Sequence, residues 1–192
     1  DSIYREDYYE KRRKDPWRSD AHTVGTTIRE YFEPDNVIDF GCAIGAHLEP
    51  FYNEEINIKG VDGNPDAFKH AVVPREYLEL HDLREPYTSS EFYDIALCFE
   101  VAEHIPEQFA DILVDTLVKS SNNVIMTAAP PGQGGTHHVN EQPPEYWHQK
   151  FESRGMKHDP QAVEVLVNRI EVTETEWLLN NLMVFQSKPE RE

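Results

Sequence analysis

The sequence predicts an α/β domain: a mostly parallel sheet of seven strands, the last antiparallel, with helices on both faces. Three observations predict it. Apolar runs of strand length alternate with segments of helical period, the pattern of successive βαβ units. The run Val37-Ile38-Asp39-Phe40 breaks at Gly41-Cys42-Ala43-Ile44-Gly45, a small-residue turn closing a buried strand. The next run, Ile58-Lys59-Gly60-Val61, ends on Asp62, which lies 21 residues after Gly41.

Taken in order, Asn36–Phe40, Ile56–Val61, Glu76–Leu80, Tyr93–Phe99 and Asn123–Ala128 read as strands. A helix is expected over Ala21–Phe32, with Asp20 as its N-cap. A second, Pro106–Lys119, opens on proline and carries Phe109, Leu113 and Leu117 on one face. A third, Pro144–Arg154, stops at Gly155. No crossover helix is evident from Gly155 to Gln186, and the run Leu178–Phe185 suggests a closing antiparallel hairpin. Residues 1–20 read as an appended N-terminal segment and residues 21–192 as the main domain.

At 192 residues the chain is about one domain long and can bury a sizeable core. Hydrophobic residues are 39%, too many for disorder, and no run is long enough to span a membrane. The opening residues are charged and aromatic, unlike a signal or transit peptide. Cys42 and Cys98 lie in apolar runs with no C-x-x-C pairing, which fits reduced, buried thiols in a cytoplasmic protein. The net charge is −18, and residues 1–20 balance six acids against six bases, so the whole deficit falls on the remainder. Such a surface repels polyphosphates and disfavours nucleic acid as a partner; it also suits life in high salt.

The turn after the first strand needs small residues so that backbone can approach a ligand, and a helix start behind it would offer N–H groups. An acid at the tip of the adjacent strand, here Asp62, is where a nucleoside ribose is held. A nicotinamide fingerprint requires a third glycine, and Gly45 is followed instead by Ala46-His47-Leu48. The shorter glycine loop preceded by an acid, Asp39, suits methyl-donor enzymes, where that acid can reach the cofactor's amino group. Asp82, in His81-Asp82-Leu83 after the third strand, is a candidate acceptor for the adenine amino group.

At VIDFGCAIG with GVDGNP, LCFEVAEHIPEQFADILVDTLV, and AAPPGQGGTHHVNEQPPEYWHQKFESRG, the chain resembles class I S-adenosylmethionine-dependent methyltransferases. The resemblance runs from about Val37 to Phe185. E-V-A-E-H is similar to a subset that includes ubiquinone-pathway O-methyltransferases and small bacterial enzymes of unassigned substrate. It implies a Rossmann-like fold and S-adenosylmethionine as cofactor, bound by Asp39, Gly41, Ala43, Gly45, Asp62, Asp82, Leu83 and Phe99. Ala43 departs from the family, which more often has glycine there.

Glu100-Val101-Ala102-Glu103-His104 follows the fourth strand, at the sheet edge where open α/β folds bind ligands. His104 could take a proton from a substrate hydroxyl as general base. Alternatively Glu100, Glu103 and His104, with His137 or His138 from the glycine-rich loop, could hold Mg²⁺ or Mn²⁺ that acidifies the acceptor. Glu103 could instead merely cap the following helix. The glycines of residues 132–135 suggest a mobile lid; Asn140, Tyr146 and Trp147 could shape the acceptor pocket or anchor the core. Methyl transfer needs chiefly alignment, so a base or cation at this edge favours a hydroxyl acceptor on a small molecule or saccharide. The alternatives are an RNA 2′-O-methyltransferase, whose small-RNA members share the Glu/Glu/His plus His pattern and which the basic cluster Lys11–Lys14 favours, and a non-catalytic cofactor-binding module.

Overall fold

The computed structural model describes residues 6–187. In chain order the elements are α1 (Glu6–Arg12), α2 (Trp17–Phe32), β1 (Asn36–Phe40), α3 (Glu49–Tyr52), β2 (Asn57–Asp62), β3 (Leu78–Leu80), β4 (Ile95–Cys98), α4 (Ala110–Ser120), β5 (Asn123–Met126), α5 (Pro144–Glu152), β6 (Met156–His158), α6 (Pro160–Arg169), α7 (Glu176–Asn180) and β7 (Met183–Ser187). The seven strands form one sheet in the order β3-β2-β1-β4-β5-β7-β6. All neighbours from β3 to β5 pair in parallel, and β7 runs antiparallel to both β5 and β6. The expected Rossmann-like sheet is thus present.

Strand periodicity sorts the core into two layers. Val37, Ile95, Leu97, Ile125 and Val184 face one way, where α2, α6 and α7 contribute Val24, Ile28, Leu166 and Leu178. Ile38, Phe40, Ala96, Cys98, Val124, Met126 and Phe185 face the other way, onto Leu113, Leu117, Trp147 and Phe151 of α4 and α5. Phe151 and Phe185 stack with ring centroids 4.0 Å apart. Because both faces are covered, the central strands read as continuous apolar runs. Cys42 and Cys98 are both buried free thiols. Among the described residues no helix is long and apolar enough to cross a membrane.

Three sequence expectations need correction. α2 begins at Trp17, so the expected division at residue 20 falls inside a helix and Asp20 is not its N-cap. Asp20 is 2% exposed and accepts from the backbone amides of Thr173, Glu174 and Thr175 and from both threonine hydroxyls. The stretch after Gly155 is no hairpin, because α6 and α7 separate β6 from β7. The start signals of α6 were present: Pro160 at the first turn, and Asp159 accepting from the Ala162 amide at 3.0 Å. The run from Leu178 divides between α7 and β7. Pro106 does not open a helix directly; a single 3₁₀ turn, Glu107–Phe109, precedes α4.

The Asp20 cluster yields a stability prediction. Burial opposes ionisation of Asp20, but donation from Glu174, Thr173 and Thr175 outweighs it and holds its pKa below the ordinary value. A depressed carboxyl pKa stabilises the fold above the unfolded-state pKa and is lost as pH falls through the folded one. Asp20→Ala should therefore cost about 3 kcal/mol at pH 7, read as a lowered melting temperature in scanning calorimetry, with the deficit shrinking below about pH 4.

Candidate active site

Because β3, β2, β1, β4 and β5 are parallel, the segments that follow them gather at one edge of the sheet. In the first of these loops Gly41 and Gly45 have φ of +79° and +76°, the left-handed region that glycine tolerates. A Cβ on Gly41 would lie 2.2 Å from a Val101 methyl, and one on Gly45 would lie 2.7 Å from a Val73 methyl. Backbone conformation and packing therefore demand both glycines. Ala43 adopts φ 47° without that freedom. The Gly41 and Cys42 amides donate to the Val61 carbonyl at 2.7 and 3.2 Å. The helix behind the loop, α3, has only four residues, so the expected helix terminus is not available as an anion site.

Asp62 ends β2, where its carboxylate accepts the Ala43 amide at 2.8 Å and the Asn64 amide at 2.7 Å, tying the first two loops together. Burial raises its pKa, against the lowering effect of those two bonds. One cleft runs past Asp62, Asp82 and Leu83. Asp82 is exposed, and Arg84 grips its carboxylate through Nε and Nη2 at 2.9 and 2.5 Å. A second cleft holds Asp39, Gly41, Ala43, His47 and Phe99. Asp39 is buried, one of its oxygens has no hydrogen-bond partner, and burial with the nearby Asp62 charge pushes its pKa up to about 7. His47 packs against Phe99, and burial, helped by Arg12, lowers its pKa to about 4.

A third cleft contains Glu100, Glu103, His104 and His138. Glu100 has φ 53°, and its amide donates to the Thr127 hydroxyl at 2.9 Å, fixing β4's exit against that of β5. Glu103 sits in the 3₁₀ turn Ala102–His104, 0% exposed, with neither carboxylate oxygen hydrogen-bonded. Burial and the neighbouring Glu100 push its pKa up to about 9. It is no helix cap. Its carbonyl instead accepts the Val139 and Asn140 amides at 2.9 and 3.0 Å, which docks the glycine-rich loop. Glu141 holds the same loop by accepting from the Gly132 and Gly134 amides, each at 2.8 Å, and by contacting His138 Nδ1 at 2.9 Å. The segment expected as a mobile lid is thus pinned at several points.

Glu103, His104 and His138 each present a ligand atom within 4.8 Å of the others. Glu100 lies outside that group, and His137 is exposed and contributes only its carbonyl, 3.2 Å from His104 Nδ1. Three of the five residues expected around a cation therefore come together. Trp147 is buried in the core rather than lining the acceptor cavity. Tyr8, Arg12 and Trp17 line the clefts from α1 and the start of α2, and Trp177 does so from α7; the sequence reading singled out none of the four, and took Arg12 only as part of the basic cluster Lys11–Lys14. The only signal for the first three was the aromatic and basic composition of residues 1–20.

The "Methyltransferase domain" family matches residues 9–157, most of the chain. The chain belongs to that family. With this sheet, membership makes it a class I S-adenosylmethionine-dependent methyltransferase. The methyltransferase resembles solved structures across its length. CalS10, an amino pentose methyltransferase from Micromonospora echinaspora with bound S-adenosylmethionine, has a TM-score of 0.68 at 15% identity, covering 98% of this chain and 99% of that one. KedS8, a sugar N-methyltransferase from a Streptoalloteichus species, gives 0.68 at 12% identity, with 98% and 97% covered. The magnesium protoporphyrin IX methyltransferase of Synechocystis with bound S-adenosylhomocysteine gives 0.65 at 16%, with 89% and 83% covered. At these identities the likeness is one of fold. No curated protein sequence is significantly similar to the methyltransferase.

Two outcomes follow. A left-handed alanine costs roughly 1 kcal/mol over glycine, partly offset by the entropy that glycine loses on folding. Ala43→Gly should leave the melting temperature unchanged or slightly raised, whereas Gly41→Ala should lower it, as differential scanning fluorimetry would read. Glu103, with a raised pKa, keeps a proton in the folded state that the unfolded chain releases, so it destabilises the fold increasingly from about pH 4.5 toward 9. In EDTA-treated protein Glu103→Gln should match the parent near pH 4.5 and melt progressively higher than it as pH rises to 8.

Proposed function

We propose that this methyltransferase transfers the methyl group of S-adenosylmethionine to a hydroxyl of a small molecule or saccharide in the cytoplasm. The observation that carries the reading is the carboxylate–imidazole group in the cavity next to Asp39. Glu100 lines both that cavity and the Asp39 cleft. An activated sulfonium needs only an aligned acceptor, so proton-handling groups beside it suit an acceptor that must lose a proton.

The cofactor would lie along the sheet edge. Its ribose and adenine would sit by Asp62, Asp82 and Leu83, its methionine end against Asp39, Gly41, Ala43, Gly45 and Phe99. The unpaired oxygen of Asp39 fits an ammonium donor. Burial lowers the His104 pKa despite the contact with the His137 carbonyl, so the imidazole is neutral at pH 7. With Nδ1 donating to that carbonyl, Nε2 would be the nitrogen that takes the acceptor's proton.

A second form of the reading adds a cation. The grouping of Glu103, His104 and His138, together with the unbonded oxygens of Glu103, fits a divalent ion, Mn²⁺ better than Mg²⁺ because two ligands are imidazoles. Glu141, in contact with His138 Nδ1, would orient that ligand. Such an ion would acidify a bound hydroxyl. An RNA acceptor is disfavoured by the net charge of −18.

The test is methyl transfer to a panel of sugars, phenols and matched amines, read as S-adenosylhomocysteine released, with and without EDTA. Hydroxyl acceptors should turn over, and His104→Ala should lower kcat by roughly 100-fold or more. In the base form EDTA has no effect, and activity falls only as pH drops through a value below the usual histidine range near 6.5. In the cation form EDTA and Glu103→Ala both abolish turnover and Mn²⁺ restores it. Turnover of amines alone would refute the hydroxyl assignment.

A further inference from the structure

The clefts along the sheet edge are lined by acids, namely Asp39, Asp62, Asp82, Glu100 and Glu103. Among the described residues a single lysine or arginine lines them, Arg12 at the end of α1. Its guanidinium lies 4.2 Å from the centre of the Tyr8 ring and 5.0 Å from that of Trp17. No carboxylate of the described residues pairs with it. In a chain with 36 acids against 18 bases, an arginine held between two aromatic rings at a cleft wall, with no acid on it, is conspicuous. The rings orient a planar guanidinium while leaving its N–H edges for an anion.

Its place along the edge narrows the anion. Arg12 lines the cleft of Asp39, Ala46 and His47, and also the adjoining cavity of Glu103 and His104, but not the cleft of Asp62, Asp82 and Leu83. The adenosine half of the cofactor is assigned to the Asp62 cleft, so the methionine half falls in the Asp39 cleft, beside Arg12. That half is a zwitterion. Its ammonium has a counterpart in the unpaired oxygen of Asp39, and its carboxylate requires a cation in surroundings that are otherwise acidic.

We infer that Arg12 binds the carboxylate of the cofactor's methionine end, so that α1 is a charge-bearing wall of the cofactor site. The inference rests on the cofactor placement proposed above. Arg12 and Asp39 then read the two charges of the zwitterion from opposite sides, and Tyr8 and Trp17 act as positioning residues for the guanidinium.

A chemical double-mutant cycle tests it, using the full chain and titration calorimetry with S-adenosylmethionine and its decarboxylated analogue, which differ only in the carboxylate. The parent protein should prefer S-adenosylmethionine by roughly 10- to 100-fold, the range for a charge-assisted pair. Arg12→Met should bind the two compounds alike, by weakening S-adenosylmethionine to the level of the analogue. Arg12→Lys, which keeps the charge but loses the fork, should retain part of the preference. A parent protein without the preference overturns the inference, and that arm does not depend on how any variant folds. A preference that survives in Arg12→Met also overturns it, as does equal loss of both compounds. If Arg12 serves an anionic acceptor instead, the cofactor preference is untouched and only the acceptor KM rises. Failure of the parent protein to bind either compound would count against the cofactor placement itself, a result distinct from the others.

Discussion

The common direction of β1 to β5 is the constraint on which the rest depends. Five neighbouring strands that point the same way must discharge their chains at one edge, and each return must cross the sheet through separate structure. Chemistry from distant parts of the sequence is thereby forced together. Asp62 from β2 holds the amide of Ala43 from the loop after β1, and Thr127 beyond β5 receives the amide of Glu100 beyond β4. Each bond joins the exits of two adjacent strands, so the edge behaves as a rim of linked turns.

That rim concentrates negative charge where burial opposes it. Asp39 and Glu103 are both held well above ordinary carboxylate pKa values by burial, each with a second acid nearby that adds to the effect. A fold would gain stability by replacing either with an apolar or amide residue. Both nonetheless line adjoining clefts at the sheet edge, Asp39 the first and Glu103 the next. Perturbed carboxyls of this kind cluster at functional sites.

The strands were legible because their burial is two-sided. β1 is found at the residues the apolar run marks, and β2 and β5 differ from expectation by only one or two residues at an end. Short strands were overdrawn, as in Glu76–Leu80, where the first residues coil into a 3₁₀ turn. The glycine loop, Asp62 and the E-V-A-E-H segment were recognisable because tight turns and clustered ionisable groups restrict residue type locally. What could not be read was long-range. Asp20 looks like a helix cap in sequence because its partners lie some 150 residues away. Arg12 looks like one base in a run of four, because only the fold turns it toward the cleft. The choice of His138 over His137 as a neighbour of Glu103 depended on a left-handed φ of 60° at His137, which no spacing rule supplies.

The buried carboxylate of Asp20 has a consequence for how the two ends of the chain behave. It belongs to the helix that follows α1, and it clasps the amides that lead into α7, so segments that open and close the sequence share one anchor. Both segments also contribute walls to the same cleft, α1 through Tyr8 and Arg12, and α7 through Trp177 and Leu178. Loosening the start of α2 would therefore also loosen the lead into α7, and a ligand filling the cleft would contact both walls. Residues 8–17, part of what reads in sequence as an appended segment, are thus one wall of the site's mouth, and the lead into α7 is the wall that Asp20 ties to it.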